Sequence, residues 1–388
     1  MQKKHDGRIK QGYPWVKKND IIEDSSLVIS DPGDPCTIVT ASGEPVAVGY
    51  YNNHSMIAAR VMSTNVKKPI DETLISERLR TAMFKRDKLI GDPYYRLVHS
   101  EGDQLPGLVI DRFGSSVVVQ ISTAGMERML PWVIAALDKW VKPETIVLRN
   151  DTPSREKEGL TQEVKVIKGE VPDLTLVKEY GSYYFADLLK GQKTGWFYDQ
   201  RDNRNYLAEF AHGKSMLDMF CHSGGFGIAA AKAGASRVLM VDSSELALSL
   251  AQKNIAYNKV DSVCSIRRGK AFQTLEALAK EKQRFDVISL DPPAFAKTRK
   301  DKESGISGYE RLGFLSAALT GEGGIVMLTS CSHHASKKEV ERAVRKGLEA
   351  GGRKVELVSV RGAAPDHPAH PLLPENDYLK SVTFRMVS

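Results

Sequence analysis

Short apolar runs broken by glycine- and proline-rich turns fill the first part of the chain. From about residue 190 they give way to strands alternating regularly with helical periods. Up to about residue 70, Ser26–Ser30, Cys36–Thr40 and Val46–Tyr50 read as short strands, with turn signals over 31–35 and 41–44. That spacing predicts a small β-barrel. Residues 71–88 switch to a helical period. Asp71 is placed to cap the start, and Leu74, Ile75, Leu79, Ala82 and Met83 form one apolar face. A second α+β stretch follows, with strands at Leu108–Asp111, Val117–Ile121, Thr145–Leu148 and Leu174–Val177. A helix over Ala124–Val141 is bent or split by Pro131.

Beyond residue 190 the predicted strands are Ser215–Met219, Arg237–Val241, Val263–Arg267, Phe285–Leu290, Ile325–Thr329 and Val355–Val360. Helical patterns separate them at Phe226–Ala233, Glu245–Tyr257, Phe272–Lys282, Gly308–Thr320 and Lys337–Ala350, and a last strand, Ser381–Met386, closes the series. Strands alternating with helices argue for a parallel, doubly wound α/β sheet, whose ligands bind beyond the carboxyl ends of the strands. The chain thus divides into a β-barrel over 1–70, a central α+β domain over 71–190 and an α/β domain over 191–388.

With 388 residues, 41% hydrophobic and 27% charged, the chain has the composition of a globular protein rather than a disordered one. Its apolar runs are too short for a membrane span, and its charged start precedes no apolar signal region. The four cysteines lie far apart and form no CxxC pair, so neither a metal site nor a disulfide framework is predicted, and a cytoplasmic setting is expected. The net charge of +7, with its excess after residue 190, is compatible with a polyanionic partner without requiring one.

The chemistry should sit in the turns after the α/β strands. The first runs into Asp218-Met-Phe220-Cys-His-Ser-Gly224-Gly225, an acidic strand end followed by paired glycines that open a helix. Glycines let a ligand approach the backbone, and a helix start offers free N–H groups. The second strand ends at Asp242-Ser243, where a carboxylate suits ribose hydroxyls. A nucleotide-type cofactor fits this pair. The turn alone does not separate NAD or FAD from other nucleotides, and a tight turn without ligand is the plain alternative. After the fourth strand, Asp291-Pro292-Pro293-Ala-Phe295 forms a rigid polar turn carrying an aromatic ring. The stretch 298–305 beyond it reads as a solvated loop. After the fifth strand, Ser330-Cys331-Ser332-His333-His334 places a thiol toward the same pocket as Asp291. The histidines are either a source of positive charge for a thiolate or simply solvent-facing. Cys221 and Cys264 read as packing residues, and Cys36 lacks any comparable setting.

Taken in order, Gly12–Val16, Tyr95–Phe113, Lys193–Arg204, the glycine turn, Asp291-Pro-Pro, Ser330-Cys-Ser332 and Asp366-His-Pro368 followed by Tyr378-Leu-Lys380 carry a resemblance over nearly the whole chain. The sequence resembles the bacterial class I S-adenosylmethionine-dependent ribosomal RNA methyltransferases with an N-terminal PUA domain. It is most similar to the 23S rRNA cytosine-C5 type. The resemblance implies a PUA β-barrel, a central α+β domain, and a Rossmann-like domain with a mostly parallel seven-stranded sheet whose last strand is antiparallel. It places Phe197, Gln200 and Arg201 over S-adenosyl-L-methionine, with Asp218, Phe220, Gly224 and Gly225 at its methionine end. Asp242 and the adjoining Ser243 take the ribose, and Asp291 lies nearest the sulfonium. Pro292, Pro293 and Phe295 meet the base, with Phe295 stacking on it or walling it. Cys331 becomes the nucleophile at cytosine C6. The implied partner is ribosomal RNA, as 23S rRNA or its large-subunit precursor, with no membrane association; relatives include homodimers. One departure stands out: relatives often carry an acidic residue after the third strand for the adenine, and here the stretch is Arg267-Arg268-Gly269-Lys270, so backbone groups take its place. Two other functions fit the same features, a guanine-N7 methyltransferase with Cys331 as scaffold and a non-catalytic RNA-binding assembly factor.

Overall fold

The computed structural model describes residues 1, 6–22 and 30–387. The chain divides into two units. One is built from Met1–Thr175, Ala186–Tyr198 and Pro365–Asn376, the other from Leu176–Phe185, Asp199–Ala364 and Asp377–Ser388.

In the first unit, β1 (Trp15–Val16), β2 (Asp34–Val39), β3 (Pro45–Tyr51) and β4 (Ala59–Ser63) form an antiparallel sheet in the order β1-β4-β3-β2. The described strands make one antiparallel sheet within the segment read as a small β-barrel. The strand predicted at Ser26–Ser30 lies, apart from Ser30, outside the described residues. A second sheet follows in chain order: β5 (Tyr94–His99), β6 (Leu108–Phe113), β7 (Ser116–Ile121), β8 (Thr145–Asn150) and β9 (Glu163–Lys168). Only the β7–β8 pair is parallel, because the helices between them supply the crossover.

The helix Glu72–Ile90 begins as its sequence dictates. Asp71 accepts the Leu74 N–H at 2.9 Å, and the five apolar residues of its predicted face are buried against this sheet. The expected Ala124–Val141 helix is split at Met129 into Ala124–Arg128 and Leu130–Trp140. Pro131 falls in the first turn of the second, where its missing N–H costs nothing. The segment Pro365–Asn376 returns to this unit, where the Asp366 carboxylate accepts the Arg96 N–H at 3.0 Å.

The second unit carries a hairpin, β10 (Thr175–Glu179) and β11 (Ser182–Ala186), and a seven-stranded sheet. The sheet comprises β12 (Ser215–Met219), β13 (Arg237–Asp242), β14 (Cys264–Arg268), β15 (Phe285–Leu290), β16 (Thr320–Ser330), β17 (Lys354–Arg361) and β18 (Lys380–Val387). Their order is β14-β13-β12-β15-β16-β18-β17, with β18 antiparallel to both neighbours. This is the Rossmann-like sheet the sequence predicts. The chain winds outward one way from β12 and the other way from β15, so the crevice for a ligand opens beyond the ends of these two strands. Below it lies the core, including Leu217, Met219, Ile288, Leu290, Val326 and Phe384.

One helix departs from expectation. It runs Lys302–Ala317 and takes in part of the stretch read as a solvated loop. Gly305 and Gly308 fall inside it and allow close approach. A Cβ at Gly308 would lie 2.8 Å from the Phe295 ring, and one at Gly305 2.9 Å from the Ala296 nitrogen. Among the described residues, no helix is long and apolar enough to cross a membrane.

Candidate active site

The turn after β12 is held in an unusual backbone shape. Phe220 and His222 have φ of 63° and 49°, and Gly224 has 86°. For the two non-glycine residues this left-handed conformation costs about 1–2 kcal/mol each. Hydrogen bonds offset the strain. Cys221 N–H donates to the Val241 carbonyl at 3.0 Å, and Gly224 N–H to the Cys221 carbonyl at 2.7 Å. His222 N–H donates to Asp242 Oδ2 at 2.9 Å, and the Asn254 side-chain amide donates to the Ser223 carbonyl at 2.9 Å.

Asp218 closes β12 with a fully buried carboxyl group. Its Oδ2 accepts the Gly227 N–H at 2.8 Å, while Oδ1 has no hydrogen-bond partner among the described residues. Burial pushes its pKa up to about 7 from the ordinary 3.8, and the nearby Asp291 and Asp242 charges add to the shift. The Gly227 hydrogen bond and the Arg204 charge oppose it. Asp242 accepts from His222 N–H through Oδ2 and from Ser244 N–H through Oδ1, which leaves further lone pairs for hydroxyl donors. Ser243, next to it, is exposed.

A second loop meets this one. Asp291 N–H donates to the Met219 carbonyl, so the ends of β15 and β12 adjoin. Beyond it, the serines on either side of Cys331 tie the turn after β16 to the Asp291 loop and to the helix that follows it. The Ser332 hydroxyl accepts the Ala296 N–H at 3.1 Å and lies 2.7 Å from the Tyr309 hydroxyl. Ser330 donates to that same Tyr309 oxygen at 2.8 Å. Cys331 itself is half-buried rather than packed into hydrocarbon. The other three thiols differ. Burial raises Cys36 and Cys264 to about 12 and Cys221 well above its ordinary value, so none is primed as a nucleophile.

The remaining candidates fall out as follows. Gln200 donates from Nε2 to both Asp291 oxygens, at 3.0 and 3.1 Å, and its carbonyl accepts from Asn203 at 2.8 Å. It therefore orients Asp291. Arg201 lines a separate cavity of about 200 Å³ with Glu179, Tyr184, Arg204 and Lys232. Phe197 belongs to the first unit, half-buried, with the Lys193 ammonium 4.3 Å from its ring centre. Pro292 is buried and Pro293 exposed. The Phe295 ring stacks on Tyr309 with centres 5.1 Å apart, and lies near-parallel to Phe272 at 6.3 Å. This packing anchors Phe295 in the loop. On the adenine side, Arg268 pairs with Glu245 at 2.7 Å and Gly269 N–H donates to the Asp242 carbonyl. His333 and His334 are exposed.

Sequence reasoning passed over Asn254 and Tyr309, and gave no role to Asn203 and Lys380 within the stretches that carry the resemblance. Asn254 carries a usable signal, a polar residue on the buried face of the helix Glu245–Asn258. Its side chain also accepts the Phe185 N–H at 2.8 Å. Asn254→Ala leaves two backbone groups without partners. It should lower stability by about 2 kcal/mol, read by urea denaturation, with weaker cofactor binding as the turn loosens.

The residues fit S-adenosylmethionine. The unpartnered oxygen of buried Asp218 suits an ammonium, the spare lone pairs of Asp242 suit a ribose diol, and three converging carboxylates suit a sulfonium cation. The raised Asp218 pKa sets the pH dependence. In the free protein this carboxyl holds a proton that the unfolded chain has already released above about pH 4. Apo stability therefore falls as pH rises towards 7. An ammonium ligand favours the charged form. Affinity measured by calorimetry should climb up to tenfold per pH unit below 7, level off, and fall above about pH 8 as the ligand's own amine deprotonates. Asp218→Asn should abolish the acid limb.

Residues 1–64 match the family model of a PUA-like domain, and residues 202–344 match that of Conserved hypothetical protein 95. The ribosomal RNA large subunit methyltransferase I of Aeromonas hydrophila is 35% identical over 379 residues, 96% of this chain and 95% of that protein. Its counterpart in Shewanella frigidimarina is 33% identical over 97% of this chain and 96% of that protein. A solved structure described as a methyltransferase complexed with SAH superposes with a TM-score of 0.84 at 20% identity, over 99% of this chain and 98% of that one.

Proposed function

Because this chain belongs to the ribosomal RNA large subunit methyltransferase I family, we propose that it methylates C5 of a cytosine in 23S rRNA with Cys331 as a covalent nucleophile. It is an S-adenosylmethionine-dependent enzyme acting on ribosomal RNA. The finer reading rests on one observation: Ser332, next to a half-buried thiol, is fastened to the loop that carries Asp291 through Ala296, while Ser330 on the other side is fastened to Tyr309 of the following helix.

C5 of cytosine is a weak nucleophile. The Cys331 thiolate adds to C6, breaking the ring conjugation and placing electron density on C5. S-adenosylmethionine supplies the electrophilic methyl group that C5 takes. The C5 proton then leaves to a base, the C5–C6 double bond re-forms, and the cysteine is expelled as thiolate. Asp291, oriented by Gln200, accepts from the exocyclic amine and, carrying a proton during the addition, donates to N3, where negative charge develops. Asp218 with the Gly224–Gly225 backbone would hold the cofactor's amino-acid end, and Asp242 its ribose. C6 is out of reach in a stacked duplex, so the target must be single-stranded or flipped out. The PUA-like segment within 1–70 supplies contacts to RNA shape, 71–190 forms the central domain, and 191–388 carries out the chemistry.

The test is methyl transfer to unmodified large-subunit rRNA, followed by bisulfite sequencing. The reading predicts one newly protected cytosine. Label on a guanine, revealed by strand cleavage at N7-methylguanine, would replace it with the N7 reaction.

A further inference from the structure

A thiol with an ordinary pKa is mostly protonated at neutral pH, and attack at C6 requires the thiolate. The Cys331 nucleophile therefore needs a local positive charge. The two histidines that follow it in sequence are exposed, and the His333 ring lies 5.7 Å from that of Tyr378.

A different cation occupies the buried side. Lys380 opens β18, in register opposite Ser330, the residue before the cysteine. Its side chain turns inward, only 5% of the residue is exposed, and its ammonium donates to the carbonyl of Ser332, the residue after the cysteine, at 2.7 Å. The lysine thus engages the backbone on both sides of Cys331. A buried ammonium is costly unless anions or acceptors face it. Burial lowers the Lys380 pKa from its ordinary value, Asp377 and Cys331 pull it back up by favouring the charged form, and the neighbouring Lys337 adds to the lowering. Asp377 is partly committed to Lys337, which it meets as an ion pair. Tyr309, the other titratable group against this turn, spends its hydroxyl on Ser330 and Ser332, and burial raises its pKa, so it stays neutral.

We infer that Lys380 is the positioning residue that holds Cys331 as a thiolate, its buried ammonium serving as counter-charge to the nucleophile. The inference rests on the reading of Cys331 given above, but it is tested on the thiol alone. A lysine arriving from an antiparallel strand inserted beside β16 also explains why the Tyr378-Leu-Lys380 stretch belongs with the Ser330-Cys-Ser332 turn.

The experiment is iodoacetamide alkylation of the full-length protein across pH 6 to 10, with Cys331 quantified by peptide mass spectrometry. Wild type is compared with Lys380→Met and Lys380→Arg, and thermal unfolding monitors the fold. The inference predicts that Lys380→Met moves the Cys331 profile up by at least about one pH unit and slows alkylation at pH 7 by about tenfold or more. Lys380→Arg, which keeps the charge, should stay within about threefold of wild type, and the rate of methyl transfer should follow the same order. Superimposed profiles for wild type and Lys380→Met would overturn the inference, as would an arginine variant shifted as far as the methionine one. Failure of the underlying reading has a separate signature, methyl transfer that survives Cys331→Ala whatever the alkylation profile.

Discussion

Cys331→Ala should lower methyl transfer to 23S rRNA by on the order of 10⁴-fold or more while leaving S-adenosylmethionine affinity within about twofold. The asymmetry follows from where the residue sits. Cys331 caps β16, whereas the carboxylates assigned to the cofactor close β12 and β13. Its side chain is half-buried and no part of the main apolar core, so truncation should cost little stability. The hydrogen bonds that fix the turn belong to Ser330 and Ser332 and survive the change. Single-turnover methylation with labelled cofactor, alongside calorimetry, separates the two effects. Near-wild-type transfer would remove the thiol from the mechanism and favour alkylation of a base nitrogen.

Asp291→Ala should cut kcat/KM by about 10²–10³-fold, the scale of losing one group preorganised for developing charge. A second signature distinguishes this from general damage. Asp291 is one of the two charges that help raise the Asp218 pKa. Removing it should lower the Asp218 midpoint below about 7, so the acid limb of cofactor binding should move to lower pH. Gln200 loses its acceptor in this variant, and Gln200→Ala should give a milder version of the same loss. An unchanged binding profile in Asp291→Ala would mean that the two carboxylates do not share a site.

Much of this was readable from the chain alone, for physical reasons. Strands of a parallel sheet covered on both faces are continuous apolar runs, so Ser215–Met219 and Phe285–Leu290 were placed at their true ends. The rule that such sheets bind ligands beyond their strand ends directed attention to Asp218, Asp242, Asp291 and Cys331, which the fold sets at or just beyond the carboxyl ends of β12, β13, β15 and β16. The failures came where neighbours in space overrode local pattern. β5 hides an arginine that reads as surface, because Arg96 pairs with Asp111 at 2.6 Å across the sheet. β9 leaves Val164 and Val166 exposed at an edge, so its alternation marks no core face. Gly305 and Gly308 masked the start of a helix because their purpose is contact with Phe295 and Ala296. Gln200 was singled out in sequence, but its hydrogen bonds to the Asp291 carboxylate were not legible there, because the two residues meet only in the fold. Lys380 stood out only as part of the Tyr378-Leu-Lys380 stretch and was given no role, because its relation to Cys331 exists only once β18 inserts beside β16.

The most direct test of the covalent mechanism is a trap. A large-subunit rRNA fragment carrying 5-fluorocytosine at the target position cannot lose its C5 substituent as a proton, so the adduct has no exit. With S-adenosylmethionine present, the mechanism predicts a denaturation-resistant protein–RNA species whose cross-linked peptide contains Cys331, absent from the Cys331→Ala protein. Methylation of the natural RNA without any such species on the fluorinated one would contradict it.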